Sequence, residues 1–104
     1  MPNWQIEYTN QAESDILSLD REVSRRIRAF FRERVALHPA PKQIAEPLAG
    51  RLRGFHRFRI GDYRAVCLIR DNKLIVLVLF VDHRSAVYKR RKLPDDLNPV
   101  DFEV

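Results

Sequence analysis

The sequence predicts an α+β fold, in which an N-terminal strand and a two-helix hairpin precede a three-stranded antiparallel meander that completes a four-stranded sheet. The first observation is a change of hydrophobic period, because apolar residues recur at spacings of three and four before residue 40 and alternate from Arg51 onward. The second is the run LIVLVLFV at 74–81, which is apolar throughout and typical of an interior strand. The length of 104 residues predicts a single domain over 1–104.

The first elements are a strand and a short helix. Residues 4–8 (WQIEY) alternate as a strand does. Asn10 is the predicted N-cap of the helix, with Glu13 in the capping-box position three residues later. The apolar positions of this helix share one face, at Ala12, Ile16 and Leu19.

A second amphipathic helix follows, with Asp20 as its predicted cap and with Pro39 and Pro41 terminating it. Its apolar positions are spaced by three and four, at Val23, Ile27, Phe30, Phe31 and Val35. Its polar side carries Arg21, Arg25, Arg28 and Arg32. These arginines form either a solvated face or a contact for a partner or RNA. Residues 39–50 receive no assignment.

Three strands are predicted at 53–60, 63–70 and 73–83, with Gly61 and Asp62 as the first turn. This turn places Arg59 opposite Arg64. One face of the hairpin is apolar and packs on the helices, with Phe58, Ile60, Tyr63, Ala65, Cys67 and Ile69. The other face carries Arg57, Arg59 and Arg64, then Val66 and Leu68.

Two like charges directly opposite each other need an explanation. In a partly desolvated site, the pair would favour an anion held between the guanidiniums. Alternatively, each arginine pairs with a nearby carboxylate, for which Asp62 and Asp82 are the candidates.

The third strand brings more polar groups to the same end of the sheet. Its predicted register places residue 79 about opposite Arg64, so that His83 and Arg84 emerge beside the arginines, with Tyr88 four residues later. The expected patch therefore combines guanidiniums that hold anions with an imidazole and a phenol that can move protons. No residue spacing predicts a metal site, no glycine-rich loop predicts a phosphate cradle, and no cofactor is expected.

Charge distribution indicates the type of partner. The net charge is +5, and residues 51–92 carry 12 Lys and Arg against three acids. This balance suits RNA, DNA or an acidic protein. A single cysteine, Cys67, inside an apolar strand is typical of a reducing compartment, and no signal peptide or membrane span is predicted. We therefore expect a soluble, cytoplasmic protein.

Two segments, PLAGRLRGFHRFRIGDYRAVCLI and VDHRSAVY, resemble the RelE/ParE superfamily of bacterial toxins from toxin-antitoxin operons. The family pattern is an "L-x-G … R-x-R-x-G-D-Y-R" hairpin followed by "V-x-H-R … V-Y". The resemblance covers nearly the whole chain. It implies a small antiparallel sheet against two helices, and a cognate antitoxin as partner.

For RelE-like members, the resemblance implies metal-independent cleavage of mRNA on the ribosome through attack by the ribose 2′-hydroxyl. By position it implies roles for Arg57, Arg59, Arg64, Arg84 and Tyr88. One alternative is the ParE-like branch, which poisons DNA gyrase without acting as a nuclease. Another is a non-catalytic basic module that binds nucleic acid.

The candidate residues fall into two groups. The catalytic candidates are Arg57, Arg59, Arg64, His83, Arg84 and Tyr88. The first three would stabilise charge, and His83 would carry a proton unless it is structural. The RNA-binding candidates are Arg51, Arg53, Lys89, Arg90, Arg91 and Lys92. Residues 89–104 form a candidate flexible tail, basic and then acidic, and His56 is expected to be structural.

Overall fold

The computed structural model describes residues 3–86, which form a five-stranded mixed sheet with helices on one face. The elements in chain order are β1 (Gln5–Tyr8), α1 (Asn10–Leu17), α2 (Arg21–Ala29), β2 (Glu46–Pro47), β3 (His56–Ile60), β4 (Tyr63–Arg70) and β5 (Ile75–His83). The sheet order is β1-β5-β4-β3-β2, with β1 parallel to β5 and all other neighbours antiparallel. The predicted α+β class is confirmed, and the fifth strand, β2, comes from the unassigned connector.

The cap of α1 differs from the prediction by one residue. Thr9, in extended backbone conformation, is the N-cap instead of Asn10, and its hydroxyl accepts a hydrogen bond of 3.1 Å from the N–H of Ala12. The same hydroxyl donates to the carbonyl of Leu79 at 2.6 Å. Thr9 is preferred because one side chain satisfies both the helix end and the neighbouring strand.

α2 continues through a π-helical segment at Phe30–Val35. The wider turn brings two consecutive aromatic rings against the sheet, since Phe30 and Phe31 lie 5.8 and 5.5 Å from the ring of Phe58. The predicted amphipathic helix is therefore confirmed, although its last part is π-helical. Within residues 3–86, no helix is long and apolar enough to cross a membrane.

The main core lies between the helices and the predicted apolar face of the hairpin. Its buried members include Trp4, Ile16, Ile27, Phe31, Phe58, Ile60, Ala65, Cys67, Val76 and Val78. Burial raises the pKa of the Cys67 thiol well above its ordinary value, so this cysteine is neutral and serves as a small apolar side chain.

A second apolar cluster lies on the face of the sheet opposite the helices, which is the face that also carries the arginines. It consists of Leu52, Phe55, Val66, Leu68, Leu79 and Phe80. A short 3₁₀ turn at Gly50–Leu52 places Leu52 over this part of the sheet. The face that carries the arginines is therefore apolar at one end and basic at the other.

A β-bulge in β5 changes the register of the predicted meander. Val66 pairs with Phe80 whereas Cys67 pairs with Val78, so Leu79 is the extra residue. The prediction that residue 79 lies opposite Arg64 is wrong, because the bulge and a longer turn at 71–74 shift the pairing. The bulge is held from α1 and its cap: Thr9 donates to the Leu79 carbonyl, and a carboxylate oxygen of Asp15 accepts from the Val81 N–H at 2.9 Å.

Candidate functional site

The hairpin of β3 and β4 has the predicted pairing, with Arg59 opposite Arg64. The register is set by the two-residue turn, whose first residue, Gly61, has a φ of 59° that favours glycine. Arg57 precedes Arg59 by two residues and projects from the same face of the strand. We call Arg57, Arg59 and Arg64 the arginine face, and Gly61 with Asp62 the hairpin tip.

Arg64 is the most buried member of the arginine face, with 7% of its surface exposed. Its Nη1 donates to the carbonyl oxygens of Gly61 and Tyr63, both at 2.9 Å, which holds the guanidinium against the hairpin tip. Within residues 3–86, no carboxylate forms an ion pair with it. Burial and then the charges of Arg59 and Arg57 lower the pKa of Arg64, yet a guanidinium keeps its proton at neutral pH.

Arg57 and Arg59 share one carboxylate. The Oε1 and Oε2 atoms of Glu46 lie 3.0 and 3.3 Å from Nε and Nη2 of Arg57, and Oε1 lies 3.7 Å from Nε of Arg59. The hydrogen bonds from Arg57 hold the pKa of Glu46 below its ordinary value. Sequence analysis missed Glu46 because its strand is two residues long, and a single acid before a proline carries no strong signal.

Of the two predicted carboxylate partners, Asp62 is part of the hairpin tip and Asp82 lies on the neighbouring strand β5. Asp62 faces Arg84, with its Oδ1 3.8 Å from Nε, while the backbone N–H of Arg84 donates to the Asp62 carbonyl at 2.7 Å. Both side chains are about two-thirds exposed, so the ion pair itself contributes little stability. Asp82 lies directly opposite Arg64 in the ladder of β4 and β5. Arg84 therefore reaches the same end of the sheet as Arg64, as predicted.

His83 lies on the other face of the sheet. It pairs with Tyr63, whose ring it meets edge-on at 5.5 Å, and Tyr63 packs against the main core beneath the helices. The bulge at Leu79 causes this placement. Without this extra residue, Asp82 and His83 would exchange faces of the sheet. The structure thus brings Asp82, and not His83, onto the face that carries Arg64.

The remaining candidates are spread along the chain. Arg51 and Arg53 are exposed and flank Leu52 in the loop over the second cluster. His56 pairs with Cys67, so it lies on the helix side as expected for a structural residue. Tyr88 and the basic residues 89–92, with the tail 89–104, lie outside the described residues. Among residues 3–86, no group of three or more His, Cys, Asp or Glu side chains is placed to hold a metal ion.

The sheet, the helices and the arginine face together define a class of small α+β proteins with a basic hairpin. Over residues 6–88 the chain matches the family described as "ParE toxin of type II toxin-antitoxin system, parDE", and it belongs to that family. It is 38% identical over 50 residues to toxin RelG of Mycobacterium tuberculosis, covering 48% of this chain and 58% of RelG. It is 39% identical over 49 residues to toxin RelE of the same organism, covering 47% of this chain and 50% of RelE. The matched segment thus spans only half to three-fifths of these relatives.

Solved structures share the fold over most of the chain. The toxin-antitoxin complex RelBE2 of Mycobacterium tuberculosis contains a chain with a TM-score of 0.74 and 27% identity, covering 82% of this chain and 95% of that one. The intact RelBE complex of Escherichia coli has a TM-score of 0.60 at 18% identity, covering 77% and 95%. The second likeness concerns the fold alone.

Proposed function

We propose that the protein is a toxin that cleaves mRNA on the ribosome, without a metal ion, through attack of a ribose 2′-hydroxyl on the adjacent phosphate. The likeness to the toxins RelG and RelE of Mycobacterium tuberculosis supports this proposal. The main observation concerns Arg64, which is buried and has no ion-pair partner within residues 3–86. Burial and then the positive charges of Arg59, Arg57 and Arg84 lower its pKa.

These charges favour an anion at the hairpin tip. Two guanidiniums about 5.5 Å apart repel each other by roughly 3 kcal/mol at an effective dielectric constant of about 20. Glu46 relieves part of this repulsion for Arg57 and Arg59, while the hydrogen bonds of Arg64 within residues 3–86 go to backbone carbonyls. A phosphate at the tip would replace repulsion by attraction, and the added charge of a phosphorane transition state would strengthen that attraction.

The reaction also needs proton transfer. In this proposal His83 carries a proton to or from the substrate. Its Nδ1 accepts from the N–H of Ser85 at 3.2 Å, which places the proton of the neutral ring on Nε2. In its imidazolium form the ring would donate from Nδ1 to the hydroxyl oxygen of Ser85, 2.9 Å away, and from Nε2 to the departing 5′-oxygen, which leaves a neutral ring. Because His83 and Arg64 project from opposite faces, the scissile phosphate would have to lie beyond the end of the sheet, beside Arg84.

Cleavage by purified protein on programmed ribosomes tests this proposal. Mapping of mRNA ends should show cuts in the presence of EDTA, and Arg64→Gln should reduce the rate at least about 100-fold, the scale of one lost transition-state donor. Arg34→Gln is the control, because it removes an equal charge from an exposed position of the π-helical segment, outside the arginine face. Equal rates for the two variants, or no cuts by the parent protein, would overturn the proposal.

Inhibition of DNA gyrase is a second candidate. The match to the ParE family and the placement of His83 away from the arginine face favour it. Gyrase-cut DNA should then accumulate when the protein is added to gyrase and plasmid, while mRNA on ribosomes stays intact.

A cognate antitoxin is the proposed partner in either case. The structural neighbours include chains from toxin-antitoxin complexes, which supports this assignment. An antitoxin that covers the arginine face would present carboxylates to it. Co-purification with the product of an adjacent reading frame, lost in an Arg59→Glu variant, tests the partner and its position together.

A further inference from the structure

A row of four arginines runs along the outer side of α2 and the segment that follows. Their spacing of four, three and four residues puts them on one helical face, and with Ser24 and Ala29 they line an open depression of about 540 Å³. Its arginines are Arg21, Arg25, Arg28 and Arg32. Ile27 and Phe31, which are fully buried, attach the same segment to the main core. We call the four arginines the helix arginine row.

Charge in this row is only partly compensated. Glu13 binds Arg28 with two hydrogen bonds of 2.7 and 2.8 Å, and the Arg28 guanidinium also lies 4.6 Å from the centre of the Tyr8 ring. Arg32 pairs at 2.9 Å with Glu33 in an exposed contact. Arg21 and Arg25 are exposed and form no ion pair within residues 3–86. The row therefore combines one fixed guanidinium with two uncompensated ones.

The helix arginine row and the arginine face lie on opposite sides of the sheet, because α2 packs on the face that does not carry Arg57, Arg59 and Arg64. A helix axis lies about 10 Å from the layer beneath it, and the outer side chains extend roughly 5 Å farther. This separation exceeds the screening length of about 8 Å at physiological ionic strength. The two basic surfaces therefore act on a ligand independently.

We propose that the helix arginine row binds the sugar-phosphate backbone of duplex RNA. The row spans twelve residues, which is a rise of about 16 Å along the helix, and planar guanidiniums match phosphate oxygens. Ser24 and Ala29 are small, so a backbone can approach the helix closely. Among residues 3–86, no large apolar side chain lines the depression, and interfaces with nucleic acid are more polar and more positively charged than interfaces with protein. This surface binds RNA whether or not the protein is a nuclease.

Fluorescence anisotropy with the full chain and a labelled RNA duplex of about 16 base pairs tests this assignment. With salt between about 50 and 200 mM, the double variant Arg21→Gln with Arg25→Gln should bind at least about tenfold more weakly. The slope of log affinity against log salt should fall in magnitude by about 2, one for each lost phosphate contact. Thermal unfolding should be little changed, because both side chains are exposed.

A charge-matched control separates this site from net charge. Arg34→Gln with Lys73→Gln removes two charges outside the row and should alter the slope by less than about 1. Equal effects of the two double variants would overturn the proposal. It would also fail if poly-glutamate bound more tightly than the duplex and lost affinity in the row variant, since the partner would then be an acidic protein. Ribosomal cleavage, measured in parallel, reports on the proposed nuclease separately.

Discussion

Glu46 and Arg57 form a two-point contact, with Oε1 3.0 Å from Nε and Oε2 3.3 Å from Nη2. Because Oε1 also lies 3.7 Å from Nε of Arg59, a single acid from the edge strand β2 offsets charge on two arginines of β3. Arg64, across the hairpin, is held by backbone carbonyls instead. Two arginines of the arginine face are therefore partly compensated by a carboxylate, whereas Arg64 has no ion-pair partner within residues 3–86.

Replacing the shared acid should strengthen RNA binding. In Glu46→Gln, Arg57 and Arg59 lose their carboxylate, so affinity for single-stranded RNA should rise severalfold and become more sensitive to salt. Stability should fall by less than about 1 kcal/mol, since Glu46 is partly exposed. Anisotropy and urea unfolding measure the two effects. Glu7→Gln on β1 is the control, and an equal gain there would show that net charge alone matters.

The bulge at Leu79 should depend on the hydroxyl of Thr9. Thr9→Val removes both the helix cap and the bond to the Leu79 carbonyl, so stability should fall by about 1 to 3 kcal/mol. Thr9→Ser should keep most of the stability, because a serine hydroxyl can make the same two hydrogen bonds. Nuclear Overhauser contacts between the rings of Tyr63 and His83 report the register separately. Full stability in the valine variant would contradict the role of this hydroxyl.

Any side chain at Gly61 of the hairpin tip should lower the free energy of unfolding. Gly61→Ala should cost about 1 to 2 kcal/mol, chiefly because its φ of 59° is unfavourable for alanine. An added Cβ would also lie 2.8 Å from Nη2 of Arg26, but that flexible side chain can move. Arg26→Ala in the same chain should therefore restore little. Gly61→Asn should cost less than alanine, and urea unfolding of these three variants and the parent separates backbone strain from contact.

Acid should destabilise the protein partly through His56. Burial, and next the charge of Lys42, lower its pKa, so the unfolded chain binds a proton at a pH where the folded chain does not. Stability therefore falls as the pH drops below the ordinary histidine value of about 6.5. The free energy of unfolding should decrease less in His56→Gln than in the parent between pH values of about 7.5 and 5.5. Parallel curves would contradict this assignment.

Local chemistry explains which features could be predicted. The pairing of Arg59 with Arg64 followed from a two-residue turn that admits one register. The faces of Asp82 and His83 could not be predicted, because LIVLVLFV offers no alternation that would reveal a bulge, and the bonds that hold it come from Thr9 and Asp15, more than sixty residues away. Glu46 was missed for a related reason, since its position depends on pairing with β3 rather than on its neighbours in the chain.

The place of β5 between β1 and β4 also affects how the protein is made. Gln5 pairs with Ile75, so the first strand waits for a partner synthesised seventy residues later. The isolated hairpin that carries the arginines is only marginally stable before that strand arrives. A nascent chain that ends before β5 should therefore be cut rapidly by proteases. We expect this delay to leave an unfinished polypeptide without its complete sheet while it is still attached to the ribosome that makes it.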